Sequence, residues 1–528
     1  MKSLMKKVFA AAAAIATVFG LAATTVATAN AADNATLTVS TTDAKFAGKT
    51  VNAYKMFSAT VSGDGKAVSY TLTDEWKPFF KNSVGLTGVT DENVNDKAND
   101  YVSKLKDSTL VAFATKASNW AQTKANNITA DATATVSADA SNGKYTATFT
   151  GLGYGYYVVA VPGATLANAK SQYATLVSVH STKVDADIKG DLPTVDKKVQ
   201  VDGTGKDATD AKIGDTLTFT LTSTIPDMSA YDTYTFNFKD TLSKGLTFGQ
   251  VKSVKVENVT LTENTDYTVT TPTASNNNTL TVAMKDFKTK QQANAGKKIT
   301  VTYTATLNEN AVVGGAGNVN SAKIQYSNNP STNGTGESEP SKVRVFTYGF
   351  TVDKYTGDQY TDAATRLAGA EFTLAPKNGD PMSFVQVSAG SATANAVYRV
   401  AKAGETGTTT ITTPANGKVV FEGLENGEYT LTETKAPAGY NKLASAIGVK
   451  VDGQNNGTDT TNATVTITYN NDNGNDYNQT ASNGVIPVQN KSGAILPGTG
   501  GMGTIAFTVI GVLVIALGVA WTLKRKNA

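Results

Sequence analysis

Short segments rich in Thr, Val and Tyr recur along the whole chain, with apolar and polar residues alternating at a period of two. In the clearest of them, Ile299, Val301, Tyr303, Ala305 and Leu307 alternate with threonines. Because successive side chains on a strand point to opposite faces, one face would be buried and the other would carry the threonines. Clusters of Gly, Asn and Asp separate the segments, which is typical of sandwiches. The sequence therefore predicts an all-β chain of tandem Ig-like β-sandwich domains.

Helical periodicity is concentrated in one stretch, from Glu92 to Gln122. Its apolar residues recur at helical spacing and could form one or two helices packed over a sheet. They are Val102, Leu105, Leu110, Phe113 and Trp120. We therefore expect a small helical insertion in the first domain.

Two proline-marked joints divide the chain. Asp191-Leu192-Pro193-Thr194 follows the first strand-rich block, and a linker rich in Gly, Ser, Asn and Pro runs from Asn329 to Pro340. At about 100–200 residues per domain, the length fits three domains, predicted as residues 32–190, 191–345 and 346–493. The chain has no cysteine, so disulfides cannot hold any of them.

The N-terminus has the form of a secretory signal. Lysines precede an alanine-rich apolar run from Val8 to Val26, and Ala29-Asn30-Ala31 supplies the small residues that a signal peptidase requires. We expect residues 1–31 to be a signal peptide, cleaved after Ala31.

The C-terminus reads Leu496-Pro497-Gly498-Thr499-Gly500, then an uncharged apolar run from Ile505 to Leu523, then Lys524-Arg525-Lys526. The apolar run is long enough to cross a bilayer, which predicts a transmembrane helix with a basic tail on the inner side. Removal of both ends lowers the basic residues from 47 to 41 against 44 acids, so charge gives no reason to expect nucleic acid.

The pentapeptide at residues 496–500, with its apolar run and basic tail, resembles the LPXTG cell-wall sorting signal of Gram-positive surface proteins. The resemblance implies that a sortase cleaves between Thr499 and Gly500 and joins the Thr499 carbonyl to an amine. Residues 494–528 would form the sorting signal, with transient membrane retention before anchoring to the cell wall.

A repeat links the first and third blocks. Gly151-Leu152 precedes Gly155 and Tyr157 at the spacing with which Gly423-Leu424 precedes Gly427 and Tyr429. Two copies imply one fold used twice. The segment from Tyr429 to Tyr440, YTLTETKAPAGY, resembles the E-box of CnaB-type domains in Gram-positive pilins and adhesins.

Alternation places Glu433 on the face of Tyr429 and Leu431, and burial of a lone carboxyl favours its neutral form. In CnaB-type domains such an acid shuttles protons while a buried Lys attacks an Asn carboxamide and releases ammonia. By resemblance of their strands, Lys354 is the nucleophile and Asn490 the acceptor. The equivalent positions of the first block are Thr41 and Val161, so we expect no such bond there.

The second block resembles the isopeptide-forming second domain of fimbrial backbone subunits, which implies Lys197 as nucleophile, Asp240 as acid and Asn320 as acceptor. Their neighbours Lys198 and Asn318 could exchange roles with Lys197 and Asn320. Strand parity puts the two lysines on opposite faces, and Lys197 shares a face with Val195.

Taken together, the chain resembles a major fimbrial subunit that a pilin-type sortase polymerises head to tail. Pilin backbones use a Lys in a YPK motif, which is absent here; Lys189, before the joint at Pro193, takes that place, with Lys183 as the alternative. The resemblance implies identical subunits, a housekeeping sortase, peptidoglycan and minor pilins as partners, and no cofactor.

A wall-anchored adhesin that does not polymerise, binding a host glycan or matrix protein, is the alternative function. An enzyme is disfavoured because His180 is the sole histidine and no catalytic triad or carboxylate pair is evident. Asp472-Asn473-Gly474-Asn475-Asp476 lacks the spacing and closing Glu of a calcium loop, so no metal is predicted.

Overall fold

The computed structural model describes residues 34–526 except 165–173, 230, 329–333, 362–363, 455–456, 458–462, 471–476 and 494–501. The chain forms two compact units. One comprises residues 1–348 with 453–465, and the other comprises residues 349–452 with 466–528. Strands dominate both units, which confirms the predicted β-rich, multi-domain fold.

The N-terminal part of the first unit contains two sheets. Its strands are β1 (Ala35–Thr41), β2 (Thr50–Val61), β3 (Val68–Leu72), β4 (Ala132–Thr135), β5 (Tyr145–Leu152), β6 (Gly155–Ala160), β7 (Ala174–Val179) and β8 (Lys183–Asp187). One sheet has the order β5-β1-β8, and the other has the order β3-β2-β6-β7 with β4 beside β2. The apolar residues of β1 alternate with more exposed ones, as the sequence pattern predicts.

Three helices lie between β3 and β4: α1 (Lys77–Asn82), α2 (Val94–Ser103) and α3 (Asp107–Gln122). The predicted helical insertion is therefore confirmed as two helices, and α1 is an addition to it. Phe79 and Phe80 of α1 are fully buried in the core that α2 and α3 cover. Trp120 of α3 packs against Trp76, with ring centroids 5.2 Å apart.

The rest of the first unit contains two larger sheets. Its strands are β9 (Asp196–Val201), β10 (Thr204–Lys206), β11 (Ala208–Asp210), β12 (Thr216–Thr224), β13 (Phe236–Leu242), β14 (Leu246–Val256), β15 (Val259–Thr260), β16 (Tyr267–Thr270), β17 (Thr279–Met284), β18 (Lys298–Leu307), β19 (Asn318–Ser327), β20 (Thr335–Glu337) and β21 (Ser341–Phe346). One sheet has the order β10-β9-β12-β18-β14-β15. The other has the order β11-β21-β19-β13-β17-β16, with β20 beside β19. A short helix, α4 (Phe287–Gln291), follows β17.

The second unit is also a pair of sheets. Its strands are β22 (Tyr348–Thr356), β23 (Thr365–Arg366), β24 (Glu371–Pro376), β25 (Phe384–Ser388), β26 (Ala396–Val400), β27 (Ile411–Thr412), β28 (Lys418–Leu424), β29 (Gly427–Lys435), β30 (Ile447–Gln454), β31 (Thr464–Tyr469), β32 (Gln479–Thr480) and β33 (Val485–Gln489). One sheet has the order β23-β22-β28-β26-β25 with β33 beside β22, and the other has the order β27-β24-β29-β30-β31-β32.

The sequence repeat forms the same local structure twice. Each copy spans a tight turn, from β5 into β6 and from β28 into β29. In each, the Tyr hydroxyl donates a hydrogen bond to a backbone carbonyl four residues earlier, from Tyr157 to Gly153 at 2.6 Å and from Tyr429 to Glu425 at 2.8 Å. The first and last strands also pair in parallel in both cases, β1 with β8 and β22 with β33. These shared features support one fold used twice.

The C-terminal helix α5 (Met502–Lys526) ends the described chain. Among the residues that the structure describes, no helix has the length and apolar character needed to cross a membrane, and the predicted transmembrane helix is therefore not supported. The predicted signal peptide, residues 1–31, lies outside the described residues.

Candidate functional site

In the predicted second domain, residues 191–345, the three predicted site residues come from three strands of two sheets. Lys197 lies on β9 of one sheet, whereas Asp240 on β13 and Asn320 on β19 lie on neighbouring strands of the other. Their neighbours in each strand alternate between buried and partly exposed, so parity turns all three side chains inward. Each of the three is 0% exposed.

A fourth residue, Tyr303 of β18, joins these three side chains. Lys197 Nζ is in direct contact with Asp240 Oδ2 and lies 2.9 Å from the Tyr303 hydroxyl. That hydroxyl donates to Asp240 Oδ2 at 2.6 Å and accepts from Asn320 Nδ2 at 2.7 Å. The nucleophile, acid and acceptor predicted from the sequence therefore meet around one phenol oxygen.

Aromatic rings close the site around the lysine. The Lys197 Nζ lies 5.0 Å from the ring centroid of Phe219 and 5.1 Å from that of Tyr303, and these two rings are stacked. Burial removes the ammonium from water and lowers the pKa of Lys197 to about 8, although Asp240 opposes part of this effect. A substantial fraction of the amine is therefore neutral near physiological pH.

The two residues left as alternatives have other contacts. Lys198 is partly exposed, and its Nζ lies 2.6 Å from Asp207 Oδ1. Asn318 is buried, but its Oδ1 accepts from the Val312 amide at 2.9 Å and its Nδ2 donates to the carbonyls of Val312 and Val345 at 3.2 Å each. The geometry thus places Lys198 at the surface and gives Asn318 a role in holding the backbone.

In the predicted third domain, residues 346–493, the three predicted residues also meet, but they come from different positions in the two sheets. Lys354 lies on β22, and Asn490 directly follows β33, the strand that pairs with β22 in parallel. Glu433 reaches them from β29 of the facing sheet. Lys354, Glu433 and Asn490 are 0%, 2% and 1% exposed.

The acid contacts both partners in this site. Glu433 Oε1 lies 3.4 Å from Lys354 Nζ, and Glu433 Oε2 accepts from Asn490 Nδ2 at 3.1 Å. The Leu443 amide also donates to Oε2 at 2.8 Å, and Asn490 Nδ2 donates to the Asn441 carbonyl at 2.8 Å. Burial lowers the pKa of Lys354 to about 8, against the opposing effect of Glu433.

Sequence reasoning missed the residues that support the two sites. The alternating pattern predicts Tyr303 only as a core position, although it is the one polar-tipped residue on an otherwise apolar strand face, which is a usable signal. Asn441 and Leu443 contact the site through their backbone carbonyl and amide, so their side-chain types could not indicate this role.

The first domain has no corresponding set at the aligned positions. Val161 is buried among apolar residues, and the Thr41 hydroxyl accepts a hydrogen bond from the Asp43 amide. Neither residue can act as an acid or an amine nucleophile. The absence of this cross-link from the first domain stays a prediction.

The two candidate lysines for linkage between subunits differ in their surroundings. Lys189 follows the last strand of the first domain by two residues, and its Nζ lies 3.3 Å from Asp187 Oδ2. Its side chain is about one-third exposed. Lys183 begins β8 and is exposed. The sorting motif, residues 496–500, and the segment 472–476 lie outside the described residues.

Fold and sites together define a protein of tandem β-sandwich domains, two of which hold a buried Lys, acid and Asn in contact. Two family models match these regions. Residues 213–330 match the Gram-positive pilin backbone subunit 2, Cna-B-like domain, and residues 358–466 match the SpaA prealbumin-like fold domain. The two matched regions are thus similar to a Gram-positive pilin backbone domain and to a prealbumin-like fold domain, which bears out the predicted resemblance to fimbrial backbone subunits.

One sequence relative is a streptococcal surface protein. The chain is 26% identical over 279 residues to the trypsin-resistant surface T6 protein of Streptococcus pyogenes serotype M6, a match that covers 48% of this chain and 44% of that protein. The match thus spans less than half of the relative's length.

Solved structures of major pilins are also similar. The T6 backbone pilin of serotype M6 Streptococcus pyogenes is 18% identical with a TM-score of 0.47, covering 87% of this chain and 99% of that one. The full-length major pilin SpaD from Corynebacterium diphtheriae is 21% identical with a TM-score of 0.39, covering 77% of this chain and 88% of that one.

Proposed function

We propose that this chain is the major subunit of a sortase-polymerised, cell-wall-anchored pilus, and that its second and third domains are each closed by an intramolecular isopeptide bond. The observation that carries the proposal is the pair of buried Lys–acid–Asn sets, Lys197 with Asp240 and Asn320, and Lys354 with Glu433 and Asn490. A buried amine beside a carboxamide and an acid is costly to maintain for stability alone.

The chemistry follows from the contacts. A neutral Lys Nζ attacks the Asn Cγ, the acid helps to move a proton from Nζ to the Asn Nδ2, and that nitrogen leaves as ammonia. Burial favours this reaction because it lowers the pKa of both lysines to about 8 and excludes water that would compete as a nucleophile. The carboxamide oxygens of Asn320 and Asn490 accept no hydrogen bond among the described residues, so each is free to be polarised.

Such bonds give a reason for a surface protein without cysteine. A cross-link between strands distant in sequence limits how far a domain can extend under load or open to proteases. It has the topological effect of a disulfide that closes a long loop, without dependence on redox conditions.

For linkage between subunits, the amine of Lys189 would receive the threonyl carbonyl of Thr499 from the next copy. The position of Lys189 supports this role, because the side chain is neither buried nor enclosed by a salt-bridge network. The partners would be a pilin-type sortase and identical subunits, then a housekeeping sortase and peptidoglycan at the base. Minor pilins and a host ligand would complete the fibre.

Intact mass measures the intramolecular bonds directly. Purified residues 32–493 should weigh less than the sequence by two ammonia molecules. Asp240→Ala should restore one ammonia and Glu433→Ala the other, and the double variant should have the sequence mass. A parent at the sequence mass would contradict both cross-links.

Wall extracts boiled in SDS and probed with an antibody to the subunit measure polymerisation. The parent should give a ladder, and Lys189→Ala should give wall-anchored monomers, whereas Lys183→Ala should keep the ladder. A parent that gives monomers alone would identify a non-polymerising adhesin. A branched peptide carrying Thr499 on Lys183 would instead assign the linkage to that lysine.

A further inference from the structure

The same proton transfer is needed at both candidate sites, but the acids there differ in length. When a Lys displaces ammonia from an Asn, one proton must leave the Lys Nζ and one must reach the Asn Nδ2. In the third domain, Glu433 lies beside both nitrogens: its Oε1 forms an ion pair with Lys354 Nζ at 3.4 Å, and its Oε2 accepts a hydrogen bond from Asn490 Nδ2 at 3.1 Å. The acid alone can therefore carry the proton.

In the second domain the acid is an Asp, which is shorter by one methylene. Asp240 contacts Lys197 through Oδ2, but among the described residues its Oδ1 has no hydrogen-bond partner and no hydrogen bond joins Asp240 to Asn320. The proton therefore has no direct route from this acid to the leaving nitrogen.

The Tyr303 hydroxyl occupies the gap. It receives hydrogen bonds from both nitrogens between which the proton must move, Lys197 Nζ at 2.9 Å and Asn320 Nδ2 at 2.7 Å, and it donates to Asp240 Oδ2 at 2.6 Å. The residue is fully buried, and its ring is held by stacking on Phe219. A hydroxyl with two acceptor sites and one donor has all its hydrogen-bonding capacity used by the reacting groups.

We propose that Tyr303 is a catalytic residue of cross-linking in the second domain, where its hydroxyl relays the proton from Lys197 Nζ to Asn320 Nδ2. The Nζ–Cγ bond forms and the Cγ–Nδ2 bond breaks. The hydroxyl gives its proton to Nδ2, which leaves as ammonia, and takes the proton that Nζ releases. These groups account for every bond and proton in the step, and no other reactant is needed.

The protonation state of the phenol suits a relay. Burial, with the nearby Asp240 carboxyl, raises the pKa of Tyr303 well above its usual value. The hydroxyl therefore stays protonated and can give and take a proton in one step, which a phenolate could not do.

The inference rests on the proposed isopeptide function, and the test separates the two. The full chain is made by cell-free synthesis, and the cross-linked peptides of both domains are followed in time by mass spectrometry. Tyr303→Phe should slow the Lys197–Asn320 bond by roughly a hundredfold, a typical contribution of proton transfer. The Lys354–Asn490 bond in the same molecules should form at the parental rate.

Tyr234→Phe is the matched control, because it removes another buried hydroxyl from the same domain, one without a hydrogen-bond partner among the described residues. It should leave both rates unchanged. Equal rates of the Lys197–Asn320 bond in Tyr303→Phe and the parent would overturn the relay while leaving the isopeptide function intact. A parent that forms neither bond would overturn the function itself.

A second variant keeps the test decisive if Tyr303→Phe fails to fold. Replacement of Tyr303 by 3-fluorotyrosine keeps the ring and the hydroxyl but makes the hydroxyl more acidic. If the hydroxyl carries the proton, the rate in the second domain should change while that in the third domain does not. An unchanged rate in the second domain would overturn the relay.

Discussion

The second and third domains bring the same three functional groups together across different parts of a sandwich. In the second domain, the proposed nucleophile Lys197 and the proposed acceptor Asn320 lie on opposite sheets, and the proposed acid Asp240 shares the sheet of Asn320. In the third domain, Lys354 and Asn490 belong to paired strands of one sheet, and the acid comes from the other. One proposed bond would tie sheet to sheet, and the other would tie the first strand to the last.

The difference shows which constraints the chemistry imposes. In both domains the lysine is desolvated, an acid touches its amine, and the carboxamide nitrogen has a proton donor or acceptor in reach. The sheet that carries each group is not constrained. The length of the acid is compensated locally, because Glu433 spans the distance alone and Asp240 is joined to Asn320 through Tyr303.

The largest effect is expected from Asp240→Ala in the second domain. It should abolish the bond between the sheets, worth up to about 4–5 kcal/mol by analogy with disulfides that close long loops. It also leaves Lys197 buried without its charge partner, at roughly 3–5 kcal/mol. Calorimetry of purified residues 32–493 should show one unfolding transition whose midpoint temperature is lowered by about 10 °C or more.

Asp196→Ala is the matched control for this variant, because Asp196 is on the same strand as Lys197 but its side chain is 65% exposed. It should keep both the mass and the melting temperature of the parent. If Asp240→Ala melted like Asp196→Ala, the acid would contribute no cross-link.

Glu433→Ala should have a smaller effect in the third domain. The bond is lost, but Lys354 keeps a hydrogen bond to the Val488 carbonyl at 3.3 Å, and the β22–β33 pairing still holds the two strands together. We expect a loss of about 3–5 kcal/mol and new trypsin cleavage confined to this domain. Glu428→Ala, on the same strand at the surface, is the control. A loss larger than that of Asp240→Ala would reverse the proposed ranking of the two domains.

The faces of the site strands could be predicted from the sequence because strand periodicity is local. Glu433 falls on the face of Tyr429 and Leu431, and all three are buried. The same parity separates Lys197 from Lys198. What parity cannot give is which strands become neighbours, and Tyr303 joins the site only because β18 lies two strands from β9 in the same sheet.

Helix prediction had a comparable limit. The periodicity from Glu92 to Gln122 was long enough to indicate helices, and α2 and α3 lie within it. The six-residue α1 was missed because fewer than two helical turns give no readable period, although Phe79 and Phe80 make it part of the core.

Asn318→Ala sharpens the comparison by separating an Asn that holds the backbone from Asn320, the proposed acceptor. Its side chain satisfies backbone groups of Val312 and Val345, so removal should cost about 2–3 kcal/mol through unpaired buried groups. The mass should still show two ammonia losses. The intact mass of Asn320→Ala should instead show one ammonia loss, that of the third domain. Restoration of an ammonia in Asn318→Ala, with Asn320→Ala unaffected, would make Asn318 the acceptor.

The smallest effect, and the one expected to be shared by both domains, is that of pH on the rate of bond formation. The attacking species is the neutral amine, and burial lowers the pKa of Lys197 and of Lys354 to about 8. Below that pH the protonated fraction grows, so both rates should fall about tenfold for each pH unit. Above about pH 8 both rates should level off and should not keep rising toward the usual pKa of a lysine.

To measure these rates, the chain is made by cell-free synthesis and transferred to buffers over about pH 6–9, and the two cross-linked peptides are quantified against time. Trypsin resistance at each pH controls for folding. A rate that does not change with pH, or that continues to rise well above pH 8, would contradict a desolvated amine as nucleophile, and different profiles in the two domains would show that Tyr303 and Glu433 tune their lysines unequally.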